Sequence, residues 1–219
     1  MIKKREFGFI LMAILIMAFV ISLTNLNIDW VDFGYALIYS SLIIFTAVLS
    51  KHFIAHVLHI KIEHKTWKLT RFWITRKRHL KHPIPLGLIL PLILSIISAG
   101  FIKCFTLLQF DSQALPSKVT KQIGNKRFAE IMEWDLAVIG FFGILGVIIL
   151  SIIANLLNIP ELARFAVYYC IWNLVPFGQL DGLKILMGSP GLGASTKVFA
   201  PLYLLSWIIT LITLVIVLF

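Results

Sequence analysis

The sequence predicts an all-α, polytopic membrane protein, and three observations support this prediction. Of its 219 residues, 59% are apolar and only 14% are charged, whereas soluble domains average about 45–50% and about 25%. The mean hydropathy is +0.94. The net charge is nevertheless +10, and the cations are concentrated between apolar runs. A nucleic-acid-binding domain would be basic without being this apolar, so we expect no nucleic-acid partner.

The apolar runs give the expected transmembrane elements of a single integral domain over residues 1–219. A spanning helix needs about 20 apolar residues, and six runs approach or exceed that length: 7–23, 33–58, 84–102, 136–157, 165–187 and 199–219. The first run follows the basic residues 3–5 and lacks a small-residue cleavage pattern. We therefore expect a retained helix with a cytoplasmic N-terminus in a multi-pass protein. Three glycines at 140, 143 and 146 predict a packing face in the fourth run.

The segment 61–82, between the second and third runs, is strongly basic. It carries eight Lys and Arg against the single acid Glu63, and Trp67 and Trp73 lie among the cations. The positive-inside rule predicts a cytoplasmic loop at the headgroup level. The same charge also fits a patch that binds anionic lipid headgroups, and both interpretations stay open.

The third run, within 83–105, is an irregular candidate for a membrane helix. Pro83 and Pro85 stand at its beginning, Pro91 lies inside it and Gly100 lies near its end. A proline in a helix interior costs about 3 kcal/mol, so a plain spanning helix is disfavoured. Irregular backbone is tolerated at membrane depth where protein surrounds it, and we expect a re-entrant segment here.

Ionisable residues within apolar helices are candidates for function, because their burial in a membrane is costly. His52, His56 and His59 share one face of the second run at i, i+4 and i+7. The i, i+4 spacing lets two imidazoles reach one zinc ion. Histidines near a helix end also occur at the membrane interface without a metal, so this alternative stays open.

The fifth run is interrupted by polar and helix-breaking residues between Asn173 and Gly182, with Pro176 and Asp181 among them. Catalytic zinc sites commonly use two His and one carboxylate and leave a fourth position for water. His52, His56 and Asp181 would form such a set. A lone aspartate at a helix end is the alternative explanation of Asp181.

These motifs together resemble the site-2 protease family of intramembrane zinc metalloproteases. The H-x-x-x-H pair of His52 and His56 precedes N-x-x-P-x-x-x-L-D-G, which begins at Asn173 and includes Asp181. The resemblance covers a protease-like core of about 33–188. It implies zinc held by the two histidines and Asp181, contact of Asn173 with the substrate, and a transmembrane segment of another protein as substrate.

One departure from the family motif concerns catalysis. The family has H-E-x-x-H, and Phe53 stands where its glutamate would act as the general base. Loss of general-base catalysis costs about 10²–10⁴-fold in rate. His59, one turn beyond His56, is a candidate substitute, metal ligand or headgroup contact. We therefore expect a site-2-protease-like scaffold, and both a protease and a catalytically impaired pseudoprotease stay open.

Depth in the membrane gives a further expectation about topology. His52 lies about 28 Å along its helix from Phe33, and Asp181 about 24 Å from Phe165. His52 and Asp181 reach the same side of the membrane only if residues 83–105 do not cross it. That arrangement gives about five crossings of the membrane. It also places the loop at 106–135 on the cytoplasmic side, in agreement with the positive-inside rule. This loop carries four cations: Lys118, Lys121, Lys126 and Arg127.

Two further interpretations, neither of which involves proteolysis, also stay open. A small transporter or lipid-interacting protein would use Asp181 and the broken helix to line a polar path. A metal-transport site would use the three histidines alone. Cys104 and Cys170 lie in apolar surroundings, which makes a disulfide improbable.

Overall fold

A computed structural model describes residues 4–23, 30–67, 69–71, 79–105, 108–114, 133–176, 180–188 and 201–218. These residues form helices α1 (Lys4–Ser22), α2 (Trp30–Val57), α3 (Leu86–Ile97), α4 (Glu133–Leu156), α5 (Pro160–Leu174), α6 (Asp181–Gly188) and α7 (Pro201–Leu218). They also form strands β1 (Ile60–Thr66), β2 (Leu69–Arg71), β3 (His79–Ile84) and β4 (Leu108–Ala114). The cations predicted at 118–127 lie outside the described residues.

The length and hydropathy of the helices indicate a membrane protein. Within the described residues, three helices are long and apolar enough to cross a bilayer, namely α2, α4 and α7. The 28 residues of α2 give a length of about 42 Å, which exceeds a hydrocarbon core of about 30 Å. Two further apolar helices are shorter, at 6–22 and 86–97.

The irregular region expected at 83–105 contains a short helix rather than a full-length one. The 12 residues of α3 span about 18 Å, well below the thickness of the hydrocarbon core. The helix ends where Ala99 and Gly100 take left-handed backbone conformations, with φ of 51° and 84°. Its first turn is tied to β1, because the Gly87 N–H donates to the Trp67 carbonyl at 3.0 Å.

The strands were not predicted, although most of the described chain is helical as expected. β1 pairs antiparallel with β4 from Ile60↔Ala114 to Thr66↔Leu108, and β2 pairs with β3. Burial alternates along β1, because successive side chains of a strand face opposite sides. The segment predicted as a headgroup-level loop therefore begins with an ordered strand, and Trp67 is buried rather than interfacial. Residues 68 and 72–78, with Trp73, lie outside the described residues.

The core is built around α2 and α4, which α1, α5 and α7 surround. The glycine face predicted on α4 is confirmed: a Cβ at Gly143 would lie 2.5 Å from Lys51 Cε, and one at Gly146 would lie 2.0 Å from Ser50 Oγ. A Cβ at Gly140 would instead meet Asp181 and Ile185 of α6. The glycines therefore allow α2 and α6 to approach α4 closely.

The fifth apolar run is two helices joined by a break. α5 ends at Leu174, and α6 begins at Asp181. Gly182 is needed at this junction, since a Cβ there would lie 2.1 Å from the Leu174 carbonyl oxygen. The end of α5 and the start of α6 are thereby packed together beside α4. Cys170 of α5 is buried, as is Cys104.

Candidate functional site

The last turns of α2 direct three consecutive side chains to different surroundings. Lys51 is 2% exposed, His52 is partly buried and Phe53 is 70% exposed. Successive residues of an α-helix are rotated by about 100°, so neighbours in sequence face different elements. Lys51 faces α4 and α6, whereas His52 faces α1 and β1. Two separate ionic centres result.

The first centre is a buried ion pair between α2 and α6. Lys51 Nζ lies 2.5 Å from Asp181 Oδ2, and both side chains are almost completely buried. The Lys51 stem passes over Gly143, where there is no room for a Cβ. Its ammonium also lies 5.4 Å from the centroid of the Phe110 ring. An ion pair removed from water in this way requires both partners, because either charge alone would be buried without compensation.

A second ammonium lies one turn along α6 from this carboxylate. Lys184 Nζ donates to the Phe110 carbonyl and lies 3.4 Å from the centroid of the same ring. Asp181 Oδ1 is buried and accepts no hydrogen bond from the described residues. The start of α6 therefore combines one carboxylate with two cations, Lys51 and Lys184.

The second centre lies where α1, α2 and β1 meet. Glu6 Oε1 lies 3.4 Å from His52 Nε2 and 3.0 Å from His64 Nδ1. The same oxygen accepts the backbone N–H of His64 at 3.0 Å. The His52 and His64 rings are in contact, with centroids 5.2 Å apart and ring planes tilted by 52°. Within the described residues, Glu6, His52 and His64 form the one group of three His, Cys, Asp or Glu residues whose ligand atoms all lie within 4.8 Å.

The position of His64 follows from the alternation of β1. Ile60, Ile62, His64 and Thr66 share the buried face of the strand. Burial lowers the pKa of His64 to about 4, and the hydrogen bond from its ring to Glu6 only partly opposes this effect. The imidazole is therefore neutral near pH 7, which is the form of histidine that coordinates metals.

The predicted zinc ligands do not come together in this structure. His52 lies beside Glu6, His56 is exposed on α2, and Asp181 is bound to Lys51. A divalent cation at Asp181 would be repelled by the adjacent ammonium groups. The described geometry of His52, His56 and Asp181 consequently does not fit a shared zinc ion. His59 takes the left-handed conformation that ends α2, with φ of 56°.

Asn173, predicted to contact a substrate, is completely buried near the end of α5. Its Nδ2 donates to the Tyr169 carbonyl at 2.8 Å and to the Phe105 carbonyl at 3.4 Å. Its Oδ1 is buried and accepts no hydrogen bond within the described residues. Asn173 and Asp181 thus flank the α5–α6 break, each with one acceptor oxygen that lacks a donor among the residues that the structure describes.

Sequence reasoning missed Lys51, Glu6 and His64. Lys51 carried a usable signal, because a lysine inside an apolar helix is costly and calls for a partner such as Asp181. For His64, the alternation of apolar and polar residues at 60–66 would have indicated a buried strand face. Glu6 gave no comparable signal, since an acid near the start of a helix is common.

A cavity of about 670 Å³ lies at the opposite end of α2 from both centres. It combines charged and aromatic side chains from the start of α2, the 101–103 segment and α5, among them Asp32, Lys103, Glu161, Arg164, Tyr39 and Trp172. Lys103 donates to the Ile21 carbonyl at 2.8 Å and lies 5.0 Å from the Phe165 ring centroid. The cavity is therefore amphipathic.

In comparison with known proteins, the chain matches no family model, no curated protein and no solved structure.

Proposed function

We propose that this protein is a site-2-protease-like membrane scaffold that binds a transmembrane segment of another protein without cleaving it. The observation that carries this proposal is the Lys51–Asp181 ion pair. The resemblance assigns Asp181 to zinc, and here an ammonium group neutralises that carboxylate. Phe53, at the position of the family's general base, is not an acid and is mostly exposed on another side of α2.

The break between α5 and α6 supports a binding role. A transmembrane segment that is locally unwound presents backbone N–H groups that need acceptors, because the membrane interior supplies no water. Asn173 Oδ1 and Asp181 Oδ1 are two buried acceptors without donors among the described residues. In this proposal they receive N–H groups of the bound segment.

The proposed topology is about five crossings with a re-entrant 83–105 segment and a cytoplasmic N-terminus. The shortness of α3 supports it, since about 18 Å of helix does not cross the core. The contact of Asp181 with Lys51, near the end of α2, supports it as well. The basic segment 61–82 would then lie on the cytoplasmic side, where its lysines can contact anionic headgroups.

The test uses the full chain in lipid nanodiscs and a fluorescent single-span peptide with helix-breaking residues at its centre. We expect the peptide to bind, as measured by energy transfer to a labelled protein, and to remain intact with or without added zinc. Phe53→Glu should not restore cleavage, with Phe53→Leu as the matched control. Cleavage by the native chain or by Phe53→Glu would overturn the proposal, as would the absence of peptide binding.

The cavity favours a second candidate, a lipid-interacting protein or small transporter. Its lining of charged and aromatic side chains suits an amphipathic small molecule. This candidate predicts transport into proteoliposomes that depends on Asp181, or lipid that copurifies with the native chain and is lost on Arg164→Ala. Neither effect is expected of a scaffold that binds only a transmembrane segment.

A further inference from the structure

We propose a divalent metal site formed by Glu6, His52 and His64, at the junction of α1, α2 and β1. It is distinct from the set of His52, His56 and Asp181 that the sequence suggests, with which it shares only His52. It does not depend on the scaffold function proposed above. Two imidazoles and one carboxylate are a ligand set typical of zinc and suit other first-row divalent ions as well.

The distances between the ligand atoms fit such an ion. Tetrahedral zinc with ligands at about 2.0–2.1 Å has neighbouring ligand atoms about 3.3 Å apart. Glu6 Oε1 lies 3.4 Å from His52 Nε2 and 3.0 Å from His64 Nδ1. The ring nitrogens of His52 and His64 lie within 4.8 Å of each other, so binding one cation would require the two rings to move closer together.

Hydrogen bonding leaves this cluster incompletely satisfied. His52 Nε2 is buried and makes no hydrogen bond within the described residues, although Glu6 Oε1 lies 3.4 Å away; that oxygen accepts from the backbone and ring of His64. A cation between the three side chains would bind the His52 lone pair and compensate the buried carboxylate. The backbone N–H of His64 would continue to orient Glu6 from the outer shell.

The surroundings also permit metal entry. Glu6 and His64 are 4% and 1% exposed, whereas His52 is 30% exposed and provides a side from which an ion can enter. The charge of Lys51, the neighbour of His52 in sequence, is already balanced by Asp181. Three protein ligands leave one position open, which water would occupy.

The experiment measures metal binding by the full chain, purified in detergent, stripped with a chelator and titrated with zinc. We expect a single zinc ion per chain, and Co²⁺ in its place should give the visible absorption of a tetrahedral site. Glu6→Gln, His52→Ala and His64→Ala should each weaken zinc binding at least about tenfold. His56→Ala is the matched control, because it removes an exposed histidine from the same helix, and it should bind zinc normally.

The variants must remain folded for the comparison to hold. The conservative Glu6→Gln variant, with an unchanged elution volume and circular dichroism spectrum, provides this safeguard. Asp181→Asn distinguishes the two metal sites, and we expect it to retain zinc. Zinc lost on Asp181→Asn or His56→Ala but kept by Glu6→Gln would overturn the proposal in favour of the other set. Absence of stoichiometric zinc in the native chain would overturn it outright, while leaving the Lys51–Asp181 argument unchanged.

Discussion

The two ionic centres beside the end of α2 differ in how their charges are balanced. In the Lys51–Asp181 centre, one buried cation contacts one buried anion at 2.5 Å. In the Glu6–His52–His64 centre, one carboxylate faces two imidazoles, and the pKa of His64 is lowered by burial, so that ring is neutral. The first centre surrounds its carboxylate with the ammonium groups of Lys51 and Lys184 and suits a structural contact. Among the described residues, the second centre combines one carboxylate with two ligand-type imidazoles and suits a ligand site.

Replacement of Lys51 should cause the largest loss of stability. Lys51→Met removes the ammonium that contacts Asp181, and breaking a buried ion pair by removing one partner typically costs about 3–5 kcal/mol. Equilibrium unfolding in mixed detergent micelles, followed by circular dichroism, measures the loss. The matched control is Lys51→Met with Asp181→Leu, which removes both charges and should recover most of the stability. A single variant as stable as the native chain would show that the two charges are not paired.

The comparison also shows how far sequence reasoning could go. Apolar runs predicted the three described helices that are long enough to span a membrane. Glycine and proline positions predicted the glycine face of α4 and the irregular third run, because both depend on local composition. The expectation that Asp181 lies near the end of α2 agrees with its contact with Lys51, although the helix expected to run from Phe165 to Asp181 ends at Leu174.

The partners within each centre could not be predicted in the same way. Whether Asp181 contacts His52 or Lys51 depends on the rotation of α2 by one residue, about 100°, and hydropathy does not determine that angle in a helix that is apolar on all sides. His64 was obscured because the basic residues of 61–82 suggested a loop. The pairing of β1 with β4 joins residues 42 to 54 positions apart, which no local pattern encodes.

After Lys51→Met, the next largest loss of stability is expected from Glu6→Gln, measured in the absence of metal. Glu6 Oε1 accepts hydrogen bonds from the His64 backbone and ring, and hydrogen bonds to a charged group contribute about 1.5–3 kcal/mol. The amide retains the shape but loses the charge, so we expect a destabilisation within that range in the same unfolding assay. Glu161→Gln, an exposed acid at the start of α5, is the control and should change stability little. An equal loss in both variants would argue against a specific role for Glu6.

The close approach of α4 to Lys51 gives a third test, which changes the first centre without changing any charge. Gly143→Ala would place a Cβ 2.5 Å from Lys51 Cε and 2.7 Å from its Cγ, so the lysine stem must move while its ammonium is held by Asp181. Overpacking of this kind costs about 1–3 kcal/mol. Gly34→Ala on α2 is the control, because no atom lies within 4 Å of the added Cβ. It should be neutral or slightly stabilising, since alanine favours helices.

The smallest loss of stability is expected when an exposed ion pair beside the second centre is removed. Lys65 on β1 lies 2.7 Å from Asp111 on β4, and their side chains are 44% and 46% exposed. The hydrogen bond to Asp111 raises the pKa of Lys65, so the ammonium is charged throughout the physiological range. Lys65→Ala should nevertheless cost only about 0.2–1 kcal/mol, because water screens the pair.

Salt should separate this pair from the buried one. At about 1 M salt the screening length falls to about 3 Å, so the difference between Lys65→Ala and the native chain should disappear. The loss caused by Lys51→Met should persist under the same conditions, since ions do not reach Asp181. If salt instead reduced both losses equally, water would have access to the Lys51–Asp181 centre. The contrast between a closed structural pair and an open ligand site would then fail.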